Sequence, residues 1–136
     1  MKLTHLDLKW IREIVSTDEA PAAVGPYSQA IAAGPMVFCS GQIGLVPSTK
    51  QFAGVTIIEQ TRQVMENLAA VLDEAGSSLE MLLKVTVYLK DMNDFGPFNS
   101  VYGSYFDDDP PARAALEVGK LPLDALVMIE AVALRD

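Results

Sequence analysis

The last apolar stretch of the chain constrains its fold more than any other segment. Leu126-Val127-Met128-Ile129-Glu130-Ala131-Val132-Ala133-Leu134 is apolar at every position but one. Read as a strand, it turns Leu126, Met128, Val132 and Leu134 to one face and Val127, Ile129, Ala131 and Ala133 to the other. Both faces then need cover. An antiparallel strand wetted on one side usually alternates apolar and polar residues, and this one does not. Helices of the same chain cover one face, so the second is expected to pack against another subunit. The exception in the run is Glu130. An ionised carboxylate in apolar surroundings costs on the order of several kcal/mol unless it is paired or hydrogen-bonded. Such a group is retained for a partner or for chemistry. The neighbouring run Pro111-Ala112-Arg113-Ala114-Ala115-Leu116-Glu117-Val118 holds Arg113, which is the candidate partner or co-worker of Glu130.

The rest of the chain supplies the other elements. Ile11 to Val15 reads as a short edge strand, and residues 16–26, with Pro21, Gly25 and Pro26, read as a loop. Tyr27 to Ala33 and Met36 to Ser40 flank Gly34-Pro35 as a β-hairpin. Gly41-Gln42-Ile43-Gly44 is expected to break that strand. Thr56-x-x-Glu59 is a capping-box pattern. It opens a helix with apolar residues at Ile57, Ile58, Val64, Met65, Leu68, Val71, Leu72 and Ala75, and Gly76 supplies the left-handed residue beyond its end. Leu83, Val85, Val87 and Leu89 then alternate with Lys84, Thr86, Tyr88 and Lys90, which is a strand. A second helix is expected from about Asp94, with Pro97 tolerated in its first turn and a core-packing stripe of Phe95, Phe98, Tyr102, Tyr105 and Phe106. The order β, β-β, α, β, α, β, β predicts an α+β domain over residues 11–136: a six-stranded mixed sheet with two helices on one face. Residues 1–10 show no clear period and are expected to be an added N-terminal arm or a leftover of expression.

Composition excludes several function classes. A chain of 136 residues, half of them hydrophobic and 21% charged, fits one domain with a sizeable core. The net charge of −8 argues against a nucleic-acid partner, which calls for clustered Lys and Arg. The acidic run Asp107-Asp108-Asp109 reads as a solvated loop, with a weak divalent-cation site as the alternative. Cys39 is the only cysteine, so no intrachain disulfide forms, and its apolar neighbours make it a small buried hydrophobe. His5 is the only histidine, which leaves no Cys–His nucleophile and removes most zinc sites. No metal and no cofactor are expected. The N-terminus lacks a signal-peptide pattern, and no apolar run approaches the roughly 20 residues that span a bilayer. A cytoplasmic protein is expected.

Several short segments together resemble a known family. They are Gly25-Pro26-Tyr27-Ser28-Gln29-Ala30, Ser40-Gly41-Gln42-Ile43-Gly44, Glu66-Asn67-Leu68 with Ala75-Gly76, and Lys84-Val85-Thr86-Val87. Asp94-Phe95 with Asn99, Pro111-Ala112-Arg113, Leu121-Pro122 and Ile129-Glu130-Ala131-Val132-Ala133 complete the set. In this order and spacing, over about residues 11 to 135, they resemble the reactive intermediate deaminase (RidA) family, also called the YjgF family. The resemblance implies a chorismate-mutase-like fold, a homotrimer with sites in clefts between subunits, and no cofactor. It implies hydrolysis of 2-imino acids and their enamine tautomers to 2-keto acids and ammonia. The family's carboxylate-binding arginine falls on Arg113 and its acidic residue on Glu130, the expected catalytic pair. The substrate-binding tyrosine, glycine and asparagine fall on Tyr27, Gly41 and Asn99. Bacterial members often carry a cysteine two residues after the arginine; Ala115 stands there in this chain, so any role at that position belongs to its backbone.

The chemistry suits these residue types. A guanidinium meets a planar carboxylate with two parallel hydrogen bonds, which lysine cannot do. One carboxylate can hold a water, take its proton and pass it toward nitrogen, which is worth about 10²–10⁴-fold. The structural alternatives are an ion pair of Arg113 with Glu130 or with Glu117, packing for Tyr27, a bulge or turn for Gly41, and a solvent-facing helix residue for Asn99. Among other functions, a ligand-binding or chaperone-like trimer is the main alternative to the enzyme. A translation inhibitor with ribonuclease activity is disfavoured by the acidic charge and the single histidine.

Overall fold

A computed structural model of the chain describes residues 10–136. All of the expected arm except Trp10, and with it His5, therefore lies outside the described residues. The strands are β1 (Arg12–Val15), β2 (Ala30–Ala33), β3 (Met36–Ile43), β4 (Leu82–Leu89), β5 (Ala112–Glu117) and β6 (Val127–Leu134). The helices are α1 (Ile57–Glu74) and α2 (Phe95–Gly103). The six strands form one sheet in the order β1-β2-β3-β6-β4-β5, antiparallel throughout except for the parallel pair β4–β5. Both helices lie on one side, with α1 packed on β3 and β6 and α2 packed on α1. The expected element order and layer arrangement hold.

Helix α1 starts and stops where its sequence signals place it. The Thr56 hydroxyl accepts the Glu59 N–H at 3.2 Å, and the Glu59 carboxylate accepts the Thr56 N–H at 3.3 Å, a closed capping box. At the other end Gly76 adopts φ +82°, the Ser77 N–H reaches the Leu72 carbonyl at 2.8 Å, and the Gly76 N–H reaches Asp73 at 3.0 Å. This is a Schellman closure, which needs a residue comfortable at positive φ. Val64, Met65, Leu68, Val71 and Leu72 are fully buried beneath the helix. Each such large side chain contributes about 1.5–3 kcal/mol by leaving water.

Two polar helix residues tie loops to this frame. The Asn67 side-chain amide donates to the carbonyls of Ile43 (3.1 Å) and Leu45 (2.9 Å). The Gln60 amide donates to Gly54 and accepts the Leu126 N–H, which fixes the chain entering β6. Buried Gln29 does the same for the segment before β2: its amide spans Thr17 and Pro21.

Four local expectations are corrected. The hairpin strand begins at Ala30 rather than Tyr27, because Gln29 turns inward to hold the preceding loop. Gly41-Gln42-Ile43 does not end β3; the strand runs on to Ile43 through a bulge between Cys39 and Gln42. Leu83 is not in the core. A register shift between Leu82 and Lys84 buries Leu82 and leaves Leu83 42% exposed. In α2 the expected aromatic stripe forms, but Tyr105 and Phe106 lie past its end at Gly103.

The sheet has two unlike faces. Val127, Ile129, Ala131 and Ala133 of β6 are buried under the helices, together with Val85, Val87 and Leu89 of β4. On the other face Met128, Glu130 and Val132 are half-buried, and Phe38 and Leu134 are exposed. This is the second apolar face that the β6 sequence leaves without cover. Among the described residues, no helix is long and apolar enough to cross a membrane.

Candidate active site

The sheet separates the residues marked out in the sequence into two groups. In the register, Val85 pairs with Arg113 on one side and with Ala131 on the other. Paired residues point the same way. Arg113 therefore shares the helix-side face with buried Val85 and Ala131, although edge strand β5 leaves it exposed. Thr86 pairs with Glu130 and with Ala114, which puts Glu130 on the opposite face. Within one chain the two expected catalytic side chains cannot meet. The ion pair Arg113–Glu130 is absent, and so is Arg113–Glu117; the Glu117 carboxylate instead accepts the Met92 N–H at 2.9 Å. Among the described residues, the only ion pairs are Lys90–Asp124 and Arg135–Glu13.

Arg113 is held from one side. Its Nη1 donates to the Asn99 side-chain carbonyl at 2.7 Å. Its guanidinium carbon lies 5.4 Å from the Phe95 ring centre and 5.0 Å from that of Tyr102. Helix α2 supplies all three neighbours, at i, i+4 and i+7 of one face. These contacts restrain the guanidinium from the helix side. Asn99 is therefore an orienting neighbour of Arg113 rather than the solvent-facing polar residue it resembles in isolation. A pocket of about 540 Å³ opens here, lined by Asn99, Tyr102, Asp107, Asp108, Pro111 and Arg113 among others. The Tyr102 hydroxyl, in a residue only 4% exposed, has no hydrogen-bond partner. Burial raises the pKa of that phenol, while the Arg113 charge lowers it less. Ala115 follows on the same face of β5, half-buried against the core.

The second group lies on the open face. Tyr27, half exposed, and Gly41 line a largely apolar pocket of about 420 Å³ with Val24, Ile43, Leu123 and Met128. A Cβ on Gly41 would lie 2.7 Å from the Met128 sulfur, so the glycine allows β6 and its methionine to approach. Met128 is two residues from Glu130 on one face of β6 and pairs with Tyr88 of β4. The Tyr88 hydroxyl donates to Glu130 Oε1 at 2.5 Å. That hydrogen bond is the main reason the Tyr88 pKa is raised, followed by burial and the charge of Glu130. Tyr27, Gly41 and Glu130 thus belong to one continuous surface, and Arg113, Asn99 and Ala115 to another.

Met128, and the contact of Tyr88 with Glu130, are additions to the sequence-derived site. Strand alternation placed Tyr88 on the face of Thr86, but the diagonal contact to Glu130 depends on cross-strand register. Met128 read only as an apolar face residue, and no sequence signal pairs it with Gly41. Cys39 is buried as expected, and burial pushes its thiol up to about 12. Among the described residues, no cluster of three His, Cys, Asp or Glu side chains is arranged to hold a metal ion.

The fold and site define an α+β domain with an aromatic-backed arginine on one surface and a tyrosine-held glutamate on another. The chain belongs to the reactive intermediate deaminase family, whose family description reads Endoribonuclease L-PSP and matches residues 17–135. It is 51% identical over 126 residues to a RutC family protein of Pyrococcus horikoshii, covering 93% of this chain and all of that protein. It is 45% identical over 125 residues to a mouse protein named 2-iminobutanoate/2-iminopropanoate deaminase, covering 92% of this chain and 93% of the mouse protein. Its structure is similar to that of E. coli TdcF with bound serine, at a TM-score of 0.88 and 39% identity, covering 91% of this chain and 99% of the other.

Proposed function

We propose that the chain hydrolyses reactive 2-imino acids and their enamine tautomers to 2-keto acids and ammonia, without a metal or cofactor. The sites lie in clefts between the subunits of a chorismate-mutase-like homotrimer. The observation that carries this reading is Arg113: an exposed guanidinium set over the Phe95 and Tyr102 rings, tethered by Asn99, and without a carboxylate partner among the described residues. A guanidinium so fixed is ready for the planar carboxylate of a 2-imino acid. The opposite placement of Glu130 supports a shared site. One small substrate cannot touch both faces of a sheet, so both residues serve it only if two subunits contribute. The uncovered apolar face of β6 and β3 supports the same assembly.

In this reading Arg113 and Asn99 hold the substrate carboxylate from one subunit, and Glu130 of the next holds a water against C2. Glu130 takes the water proton as the new C–O bond forms and the C=N electron pair moves to nitrogen. It then passes that proton to nitrogen, which gives a carbinolamine. The same carboxylate accepts the hydroxyl proton and delivers it to nitrogen as the C–N bond breaks. Ammonia and the keto acid leave, and Glu130 ends as it began. The pocket of Tyr27, Gly41 and Met128 adjoins Glu130 and takes the substrate's side chain.

The serine in E. coli TdcF favours one second reading, a trimer that binds amino acids or keto acids without turnover. The test is keto-acid formation from a freshly generated 2-imino acid with and without purified protein. Wild type is expected to accelerate it, and Glu130→Gln, which keeps shape but takes no proton, to lose about 10²-fold or more. No acceleration by wild type would leave the binding reading. A Glu130→Gln rate near wild type would make Glu130 structural.

A further inference from the structure

We propose that Tyr88 is a positioning residue for Glu130, pinning one carboxylate oxygen so that the other is presented to the water that attacks the imine. This rests on the imine-hydrolase reading above. The geometry follows from the sheet. Strands β4 and β6 are antiparallel neighbours in which Thr86 faces Glu130 and Tyr88 faces Met128. Tyr88 is therefore the diagonal neighbour of Glu130 on the same face, at a separation of roughly 7–8 Å that a phenol spans. Its hydroxyl donates to Oε1.

A glutamate side chain turns about three bonds, and its carboxylate has two oxygens with about four acceptor positions. Left alone on a sheet surface it would share its time among rotamers, and a general base works only when held within reach of its proton. The tyrosine has a rigid ring and two torsions, so one hydrogen bond from it removes most of that freedom. The hydroxyl remains a donor across the neutral range, because the adjacent carboxylate raises its pKa. Among the described residues no ion pair competes for the group: Lys84, which lines the same surface hollow, forms none with Glu130. Oε2 has no protein donor among the hydrogen bonds of the described residues and is the oxygen left for water. Met128, set between Tyr88 and the side-chain pocket, closes the apolar flank of the pair.

The experiment uses the full chain as wild type, Tyr88→Phe, Glu130→Gln and the double variant. Imine hydrolysis is measured for kcat and KM, with melting temperature and oligomer mass as controls. Tyr88→Phe is expected to lower kcat about tenfold, the effect of losing a charge-assisted hydrogen bond, with KM changed less than about twofold and the melting temperature retained. In the Glu130→Gln background the same change is expected to do nothing further. A fall in kcat of less than about fivefold for Tyr88→Phe overturns the proposal, since it would be too small for the loss of a charge-assisted hydrogen bond. So does a full additive loss in the double variant, which would mean that Tyr88 acts by another route.

A spectrophotometric titration of the phenols separates this outcome from failure of the hydrolase reading. The phenolate signal missing from Tyr88→Phe is expected to titrate lower in Glu130→Gln than in wild type. An unchanged Tyr88 titration overturns the contact itself, whatever the enzyme does. A shifted titration in a protein that hydrolyses no imine would instead retain the contact and reject its catalytic purpose.

Discussion

Replacing Arg113 by lysine and by alanine tests the carboxylate clamp most directly, because the structure assigns different magnitudes to its two possible roles. As a structural group, Arg113 offers one hydrogen bond to Asn99 at 2.7 Å and two ring contacts at 5.0 and 5.4 Å. Ring contacts of this kind at an exposed position are worth about 0.5–1 kcal/mol each. With about 0.5–1 kcal/mol more for the hydrogen bond and no ion pair to lose, removing the side chain should cost about 1.5–3 kcal/mol of stability, or roughly 5–12 °C in Tm for a chain of this size. As the group that binds the substrate carboxylate, it should cost far more in turnover. Losing a desolvated charged contact costs about 2–5 kcal/mol. That is roughly a 30-fold or larger fall in kcat/KM.

Lysine separates charge from shape. It keeps the cation but not the planar fork, so Arg113→Lys should fail nearly as badly as Arg113→Ala. Keto-acid formation from a generated imine, melting temperature and light-scattering mass are measured on all three proteins. Activity of Arg113→Lys within about threefold of wild type would refute the fork argument, since charge alone would then suffice. A large melting drop or dissociation that accounts for the lost activity would return Arg113 to a structural role.

Light scattering should find three copies of the 14.7 kDa chain, and a stable monomer at micromolar concentration would remove the shared site. Thiol reagents at pH 8 should leave activity intact, because a thiol pushed up to about 12 is ionised at roughly one part in 10⁴ there. Cys39→Ser should retain most of the turnover; rapid inactivation by iodoacetamide would contradict its burial.

The fold was legible wherever local chemistry decides it. Thr56 and Glu59 form the capping box, Gly76 takes positive φ, and Val85, Val87 and Leu89 are buried on one face. The failures share a cause. Gly41 looked like a strand end but passes through a bulge, and Leu83 looked like core but is displaced by one. A bulge shifts side-chain parity by one residue, and the composition of the strand that carries it does not record where the partner strand slips. Gln29 was hidden for another reason: its amide is satisfied by a loop about ten residues earlier, a contact without local period.

The same limit governs the site. Arg113 and Glu130 stood out as lone charges in apolar runs, but parity between strands far apart in sequence is set by pairing register. The register puts them on opposite faces of the sheet. On opposite faces they cannot pair within one chain. If each site takes Arg113 from one subunit and Glu130 from the next, two inactive variants should repair one another. In a three-membered ring of Arg113→Ala and Glu130→Gln subunits, every mixed trimer has one cleft in which both residues are native. That is one native cleft in three, so trimers that carry both variants should show about a third of wild-type activity. The two variants, each folded and trimeric, are co-expressed with different tags, and trimers carrying both tags are assayed against each parent. Mixed trimers as inactive as the parents would place the working residues within single chains, which the sheet geometry forbids for this pair, and the joint role of Arg113 and Glu130 would fall with them.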